Sequence, residues 1–147
     1  MQKYTQNDMV DMIREAGLKQ TEHRLCILTR VSKSKSPIVA SKLIEDIKKK
    51  YHIDQATVYR NLTVLENAGL INKFSHSIIG SNSSHAHYEM VSDDVYSKVM
   101  CSNCETIEKV HGISTDELSK KISKKSKHFK TSNVLTLELY ALCKSCT

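Results

Sequence analysis

Tryptophan is absent, aromatic residues make up only 5% of the chain, proline occurs once and glycine four times. So little proline and glycine excludes a collagen-like repeat, a mucin-like stalk or a long disordered tail. With so few aromatic rings, the core must be mainly aliphatic. No run approaches the roughly 18 apolar residues of a membrane span, and the opening MQKYTQNDMVDM holds no apolar signal segment. The expectation is a soluble, cytoplasmic protein with no membrane partner. What is there, 147 residues of which 39% are hydrophobic and 26% charged, makes one globular domain or two small ones.

Charge is unevenly placed. The chain carries 22 Lys and Arg against 16 Asp and Glu, a net +6. Residues 1–80 hold 13 of those cations against 8 acids, and residues 81–147 hold 9 against 8. A basic half joined to a near-neutral half suggests a polyanion as partner of the first; a merely solvated basic surface is the alternative.

Apolar periodicity places the elements. A helix is predicted over residues 5–16, with Met9, Met12, Ile13 and Ala16 on one face and Gly17 as its stop. Thr21 can cap a second helix that turns Leu25, Leu28 and Val31 inward. After the break at Ser34–Pro37, a third helix near 40–51 carries Leu43, Ile44 and Ile47. Asp54 caps a fourth, closed by Gly69, in which Val58, Leu62 and Leu65 face the core while Thr57, Tyr59, Arg60 and Thr63 lie largely outside. Residues 70–79 and 85–91 have strand character around the turn-rich Gly80–Ser84. Helices followed by a hairpin, the last helix presenting polar groups, outline a winged helix-turn-helix.

The rest of the chain reads as a small α/β domain, which makes the whole α+β. Residues 97–101 and 106–110 form a hairpin. Ser114 and Glu117 have capping-box spacing before a helix with Leu118 and Ile122 inward. Residues 133–142 alternate, with Leu135, Leu137, Leu139 and Ala141 on one strand face. The domains are expected as 1–84, binding DNA, and 85–147, for dimerisation and metal.

Four of the five cysteines form two CxxC pairs, Cys101/Cys104 and Cys143/Cys146, with 38 residues between them. Two such pairs in a reducing compartment point to one tetrahedral zinc held by four thiolates. Zinc binding contributes roughly 10 kcal/mol or more to a small metal-dependent fold. A redox dithiol would need only one pair, near the start of a helix after a βαβ unit, and no nucleophile–base arrangement stands out; an enzyme is not expected. Cys26, in an apolar helical pattern, reads as an ordinary buried thiol.

On the fourth helix, Tyr59 offers a ring for a thymine methyl and Arg60 a bidentate cation for phosphate or base. Lys19, Arg24 and Lys73 are candidates to flank that face. A Tyr–Arg pair on an ordinary surface helix is the competing reading; the helix-turn-helix outline and the basic half favour DNA.

GLKQTEHRLCIL (17–28), DQATVYRNLTVLENAGLI (54–71), HYE (87–89) and the CSNC…CKSC pairs together resemble the ferric uptake regulator (Fur) family of metal-dependent repressors. The resemblance runs in order from about residue 9 to residue 146. It implies a winged helix that binds A/T-rich inverted repeats as a homodimer, and a dimerisation domain with a structural Zn2+. It also implies that Lys19 approaches the minor groove, that Tyr59 and Arg60 face DNA, and that Cys101, Cys104, Cys143 and Cys146 hold the zinc; Thr57 and Arg24, from their places in the chain, are further candidates for DNA contact.

One part of the family pattern is missing. Members usually carry a His-rich HHxH-type stretch before the first CxxC that supplies sensing ligands; here it is Val95-Tyr96-Ser97-Lys98. Pro37 stands where many have a hinge His, and Leu135 near another expected His. Only Glu89 remains at a usual ligand position. His85, His87 and Glu89 alternate on one strand face, a set suited to Fe2+, Mn2+ or Zn2+, with Asp93, Asp94, His76 or His111 to complete it. Two readings stay open. One is a repressor with structural zinc and this second, regulatory metal; the other is a metal-blind DNA-binding protein, or a zinc-stabilised interaction protein of the transcription machinery.

Overall fold

Side-chain caps set where the helices of the computed structural model begin. It describes residues 4–77, 84–92, 96–112, 115–128 and 138–147. Helix α1 (Gln6–Glu15) starts from a reciprocal pair: the Asp8 N–H donates to Thr5 Oγ1 at 3.2 Å and the Thr5 N–H to Asp8 Oδ2 at 2.6 Å. Helix α2 (Glu22–Ser32) starts from Thr21, whose hydroxyl accepts the Arg24 N–H. Helix α3 (Ala40–Lys48) has no side-chain cap, because its N-cap residue is Val39, an apolar side chain at the end of a short strand, β1 (Ile38–Val39). Helix α4 (Gln55–Asn67) starts from Asp54. Gly69 follows it at φ +71°, the left-handed turn that ends a helix at little cost to a residue without a side chain.

Met9 and Ile13 of α1, Ile27, Leu28 and Val31 of α2, Leu43 and Ile47 of α3, and Val58, Leu62 and Leu65 of α4 are all at most 2% exposed and form one cluster. Strands β2 (Ile71–Ser77) and β3 (Ser84–Met90) pair antiparallel from Ile71↔Met90 to Ser77↔Ser84. β1 adds to the other side of β3 through Ile38↔Tyr88 and Val39↔His87, giving the order β1-β3-β2. Two residues are too few to show an alternating pattern, so β1 is invisible in the sequence; it forms because β3 offers it an edge. Of the expected turn at 80–84, residues 80–83 lie outside the described residues.

The chain divides into two compact units, Met1–Ser92 and Asp93–Thr147. A boundary at 84/85 would cut β3 from the sheet it completes, so the division falls eight residues later than the spacing suggested.

In the second unit, β4 (Tyr96–Cys101) pairs antiparallel with β5 (Ile107–His111) and parallel with β6 (Glu138–Ala141), in the order β5-β4-β6. Helix α5 (Thr115–Lys125) lies between β5 and β6 in sequence. Its expected cap, Ser114, falls outside the described residues. Ser119 is buried and Leu118 half-buried, but Ile122 is 42% exposed. The expected inward stripe is therefore displaced by one residue. Leu135 and Leu137 lie outside the described residues, while Leu139 and Ala141 are exposed in the single chain. No helix among the described residues is long and apolar enough to cross a membrane.

Candidate metal centre and nucleic-acid interface

The parallel pairing of β4 and β6 decides where the cysteines meet. Both strands end at the same edge of the sheet, with Cys101 beside Ala141 and the Ser102 N–H bonded to the Ala141 carbonyl at 2.9 Å. Each strand then turns through its CxxC. The first turn is closed by Glu105 N–H to Cys101 O at 3.0 Å, with Glu105 at φ +59°, and the second by Cys146 N–H to Cys143 O at 2.9 Å.

The result is a four-sulfur cluster whose Sγ atoms all lie within 4.8 Å of one another. Cys104 Sγ and Cys143 Sγ are 3.6 Å apart, and the cysteines are free thiols. Tetrahedral zinc with bonds of about 2.3 Å spaces its sulfurs by about 3.8 Å. The donor set and spacing fit Zn2+.

The surrounding groups also favour thiolate. Cys101 Sγ accepts N–H bonds from Cys104 at 3.5 Å and Cys143 at 3.4 Å, and backbone donation of this kind pulls its pKa down to about 6. Thr106 Oγ1, 3.2 Å from Cys104 Sγ, lowers that thiol too. At Cys146 a hydrogen bond with Asn103 favours the thiolate, but the neighbouring sulfurs outweigh it and push the group up to about 12. Without a cation, four sulfurs this close cannot all ionise; a divalent metal removes that conflict. Thr106 and Asn103 were not singled out from sequence, since nothing in their identity marks them as partners of a sulfur.

His85, His87 and Glu89 share a face of β3, as the alternation predicts, but the fold does not gather them. Side chains two residues apart on a strand stand about 7 Å from each other. Among the described residues the four cysteines are the group of three or more ligating side chains whose donor atoms converge. His87 is buried, stacks on Phe74 with ring centres 5.6 Å apart, and places Nδ1 3.3 Å from the His85 carbonyl. Asp93 and Asp94 and the His76 side chain lie outside the described residues. The Tyr96 ring, on β4 just before the first CxxC, has the Lys98 ammonium 6.0 Å from its centre and the Lys109 ammonium of the neighbouring β5 4.4 Å from it.

Helix α4 presents Tyr59, Arg60 and Thr63 to solvent while Val58, Leu62 and Leu65 are fully buried. Its first turn is a linked set. Asp54 accepts from the Thr57 N–H at 2.8 Å and from the Thr57 hydroxyl at 2.5 Å, and Arg60 Nη2 donates to Thr57 Oγ1 at 2.8 Å. Thr57 hence orients Arg60 instead of standing beside it. Tyr59, 39% exposed, projects from the same stretch. Lys19 is exposed, but Arg24 is half-buried and spends Nη1 on the Lys19 carbonyl at 2.5 Å. That bond fixes the segment bearing Lys19, a role its basic side chain alone did not reveal.

The ferric uptake regulator family model matches residues 15–140. The chain belongs to the ferric uptake regulator family. This is a family of DNA-binding transcription regulators, not of enzymes. Among curated relatives, the chain is 27% identical over 141 residues to the peroxide operon regulator of Bacillus subtilis strain 168, covering 95% of this chain and 92% of that protein. It is 26% identical over 136 residues to the ferric uptake regulation protein of Legionella pneumophila, covering 91% and 95%. The solved ferric uptake regulator of Helicobacter pylori shares the fold with a TM-score of 0.76 at 20% identity, covering 99% of this chain and 97% of that one. Family membership accounts for both the winged helix-turn-helix and the four-cysteine zinc centre.

Proposed function

We propose that the protein is a cytoplasmic, homodimeric transcriptional repressor that reads A/T-rich inverted repeats through α4 of each copy, its second unit held by one zinc on Cys101, Cys104, Cys143 and Cys146. The observation that carries the reading is the exposed Tyr59–Arg60 pair, fixed by the Asp54–Thr57–Arg60 hydrogen bonds over a helix face that is fully buried. A rigid helix with a bidentate cation and an aromatic ring at its exposed turn suits a major groove. Lys19, on the segment Arg24 anchors, suits a neighbouring phosphate or the minor groove. The two half-sites of an inverted repeat lie about one helical turn, or a multiple, apart, so one copy cannot read both. Exposed Leu139, Tyr140 and Leu142, on and just after strand β6, offer apolar surface to a second copy.

Arg60→Ala tests the reading. Binding to the operator, measured by fluorescence anisotropy at fixed salt, should weaken by about 5- to 150-fold, the worth of one good bidentate pair with a base, with zinc content unchanged. Unaltered affinity would remove α4 from the reading role.

A second reading concerns regulation, and Tyr96 and Lys98 favour it. Two ammonium groups around the Tyr96 ring repel a divalent ion where the family pattern calls for imidazoles. In this reading DNA binding is metal-blind. Metals per chain, measured after loading with zinc, iron or manganese and desalting, decide it. One zinc alone supports metal-blind binding. A second ion that disappears in a His87→Ala, Glu89→Ala double variant means a regulatory site has been rebuilt on β3.

A further inference from the structure

Helix α5 holds Lys120, Lys121, Lys124 and Lys125 within six residues, and Lys127 follows just past its end; all five are exposed. Among the described residues none of the five is in an ion pair. The lysines of α3 differ: Lys42 and Lys49 reach Glu45 at 3.3 and 2.7 Å, and Lys42 also reaches Asp46 at 3.5 Å. On α3 acids and cations alternate along the helix; on α5 the acids Asp116 and Glu117 stand at the N-terminal end, and residues 120–125 carry four cations and no acid.

The helix dipole accounts for part of this pattern. Lys124 and Lys125 lie in the last turn, where a cation is favourable. Lys120 and Lys121 lie a turn earlier, where that benefit has faded. They stand four residues from Lys124 and Lys125, so each pair sets like charges side by side and destabilises the helix. A surface that keeps such repulsion suits a polyanion that relieves it.

We infer that the lysine face of α5 is a second DNA-binding surface, contacting the phosphate backbone without reading sequence. This rests on the DNA-binding reading above and adds to it a contact outside the winged helix. The partner is duplex DNA because the protein already works on it, and a row of ammonium groups without a fork or a ring gives charge neutralisation without base readout. Each phosphate neutralised releases counterions, so the contact is visible in the salt dependence of binding.

The experiment compares the zinc-loaded full chain with a variant carrying Lys120→Gln, Lys121→Gln, Lys124→Gln and Lys125→Gln. Glutamine is as good a helix former as lysine, and zinc content with the thermal midpoint monitors folding. Binding to an arbitrary duplex of about 40 base pairs, four helical turns, is followed across about 50–200 mM salt. The slope of log K against log salt should flatten by about 2–4, at roughly 0.9 for each phosphate left without its lysine. The corresponding four-fold Lys→Arg variant should keep the original slope. An unchanged slope in the glutamine variant overturns the inference while leaving α4 untouched. Wild-type protein that binds no duplex at all overturns the DNA-binding reading itself. An unchanged slope together with lost sedimentation on phosphatidylcholine–phosphatidylserine vesicles overturns it in favour of an anionic membrane.

Discussion

In the first unit seventeen buried side chains, from Met9 to Tyr88, form a single cluster drawn from four helices and a three-stranded sheet. The described residues of the second unit bury only Met100, Cys101 and Ile107 among their hydrophobic side chains, with Ser97 and Ser119 beside them. The first therefore gains its order from many small increments of apolar burial. The second concentrates its order in four sulfurs at the end of one sheet. Helix α4, proposed above to read DNA, sits on the first kind of support, so its positioning should survive changes that dissolve the second.

Removing the metal separates the two supports most strongly. A structural zinc contributes roughly 10–16 kcal/mol in small zinc-dependent peptides, more than a whole marginal domain usually retains. Chelation, or Cys143→Ala, should open β4, β5 and β6 to amide exchange while α1–α4 and the β2–β3 hairpin stay protected. Loss of protection in both units at once would mean that the first does not stand on its own core. Undiminished protection in the second would mean that the cysteines are not what holds it.

The converse change is Leu62→Ala. Leu62 is fully buried on the inner face of α4, and truncating a buried leucine costs about 2–5 kcal/mol. Denaturant unfolding should show that loss in the first unit with zinc content unaltered. A smaller effect would mean that the site collapses around the missing atoms, and α4 would then be less rigidly seated than its packing implies.

The same contrast explains which features could be read from the sequence. Apolar stripes at helical spacing locate α1–α4, and Thr21 and Asp54 mark the starts of α2 and α4, because local caps and burial act through near neighbours in the chain. The CxxC pairs were equally legible, since both ligands of each turn are three residues apart. What eluded the sequence depends on partners distant in the chain. β1 needs the edge of β3, and Thr106 matters only because the turn brings its hydroxyl to a sulfur. Arg24 serves Lys19 only because α2 begins where it does. The alternation of His85, His87 and Glu89 does give them a shared face, but a shared face is not convergence. A strand keeps successive same-side groups apart, whereas a CxxC turn folds them together.

The smallest effect probes how Arg60 is held. The Thr57 hydroxyl and N–H keep the Asp54 carboxyl below its ordinary value, with a lesser contribution from the Arg60 charge. Because the folded pKa is lowered, the carboxylate contributes its stabilisation fully above the unfolded value of about 3.9, and that contribution is lost as pH falls through the folded value. Asn at this position still caps a helix but carries no titrating charge. In wild-type protein the Thr57 amide shift should therefore titrate with a midpoint under the usual carboxylate range; in Asp54→Asn it should stay flat over the same acid window. At neutral pH the variant should keep α4 intact and alter DNA binding far less than Arg60→Ala, because Thr57 can still accept the Arg60 hydrogen bond. An ordinary carboxylate midpoint in the wild type would mean that the Asp54–Thr57 bonds are not made in solution, and Arg60 would then be free to swing.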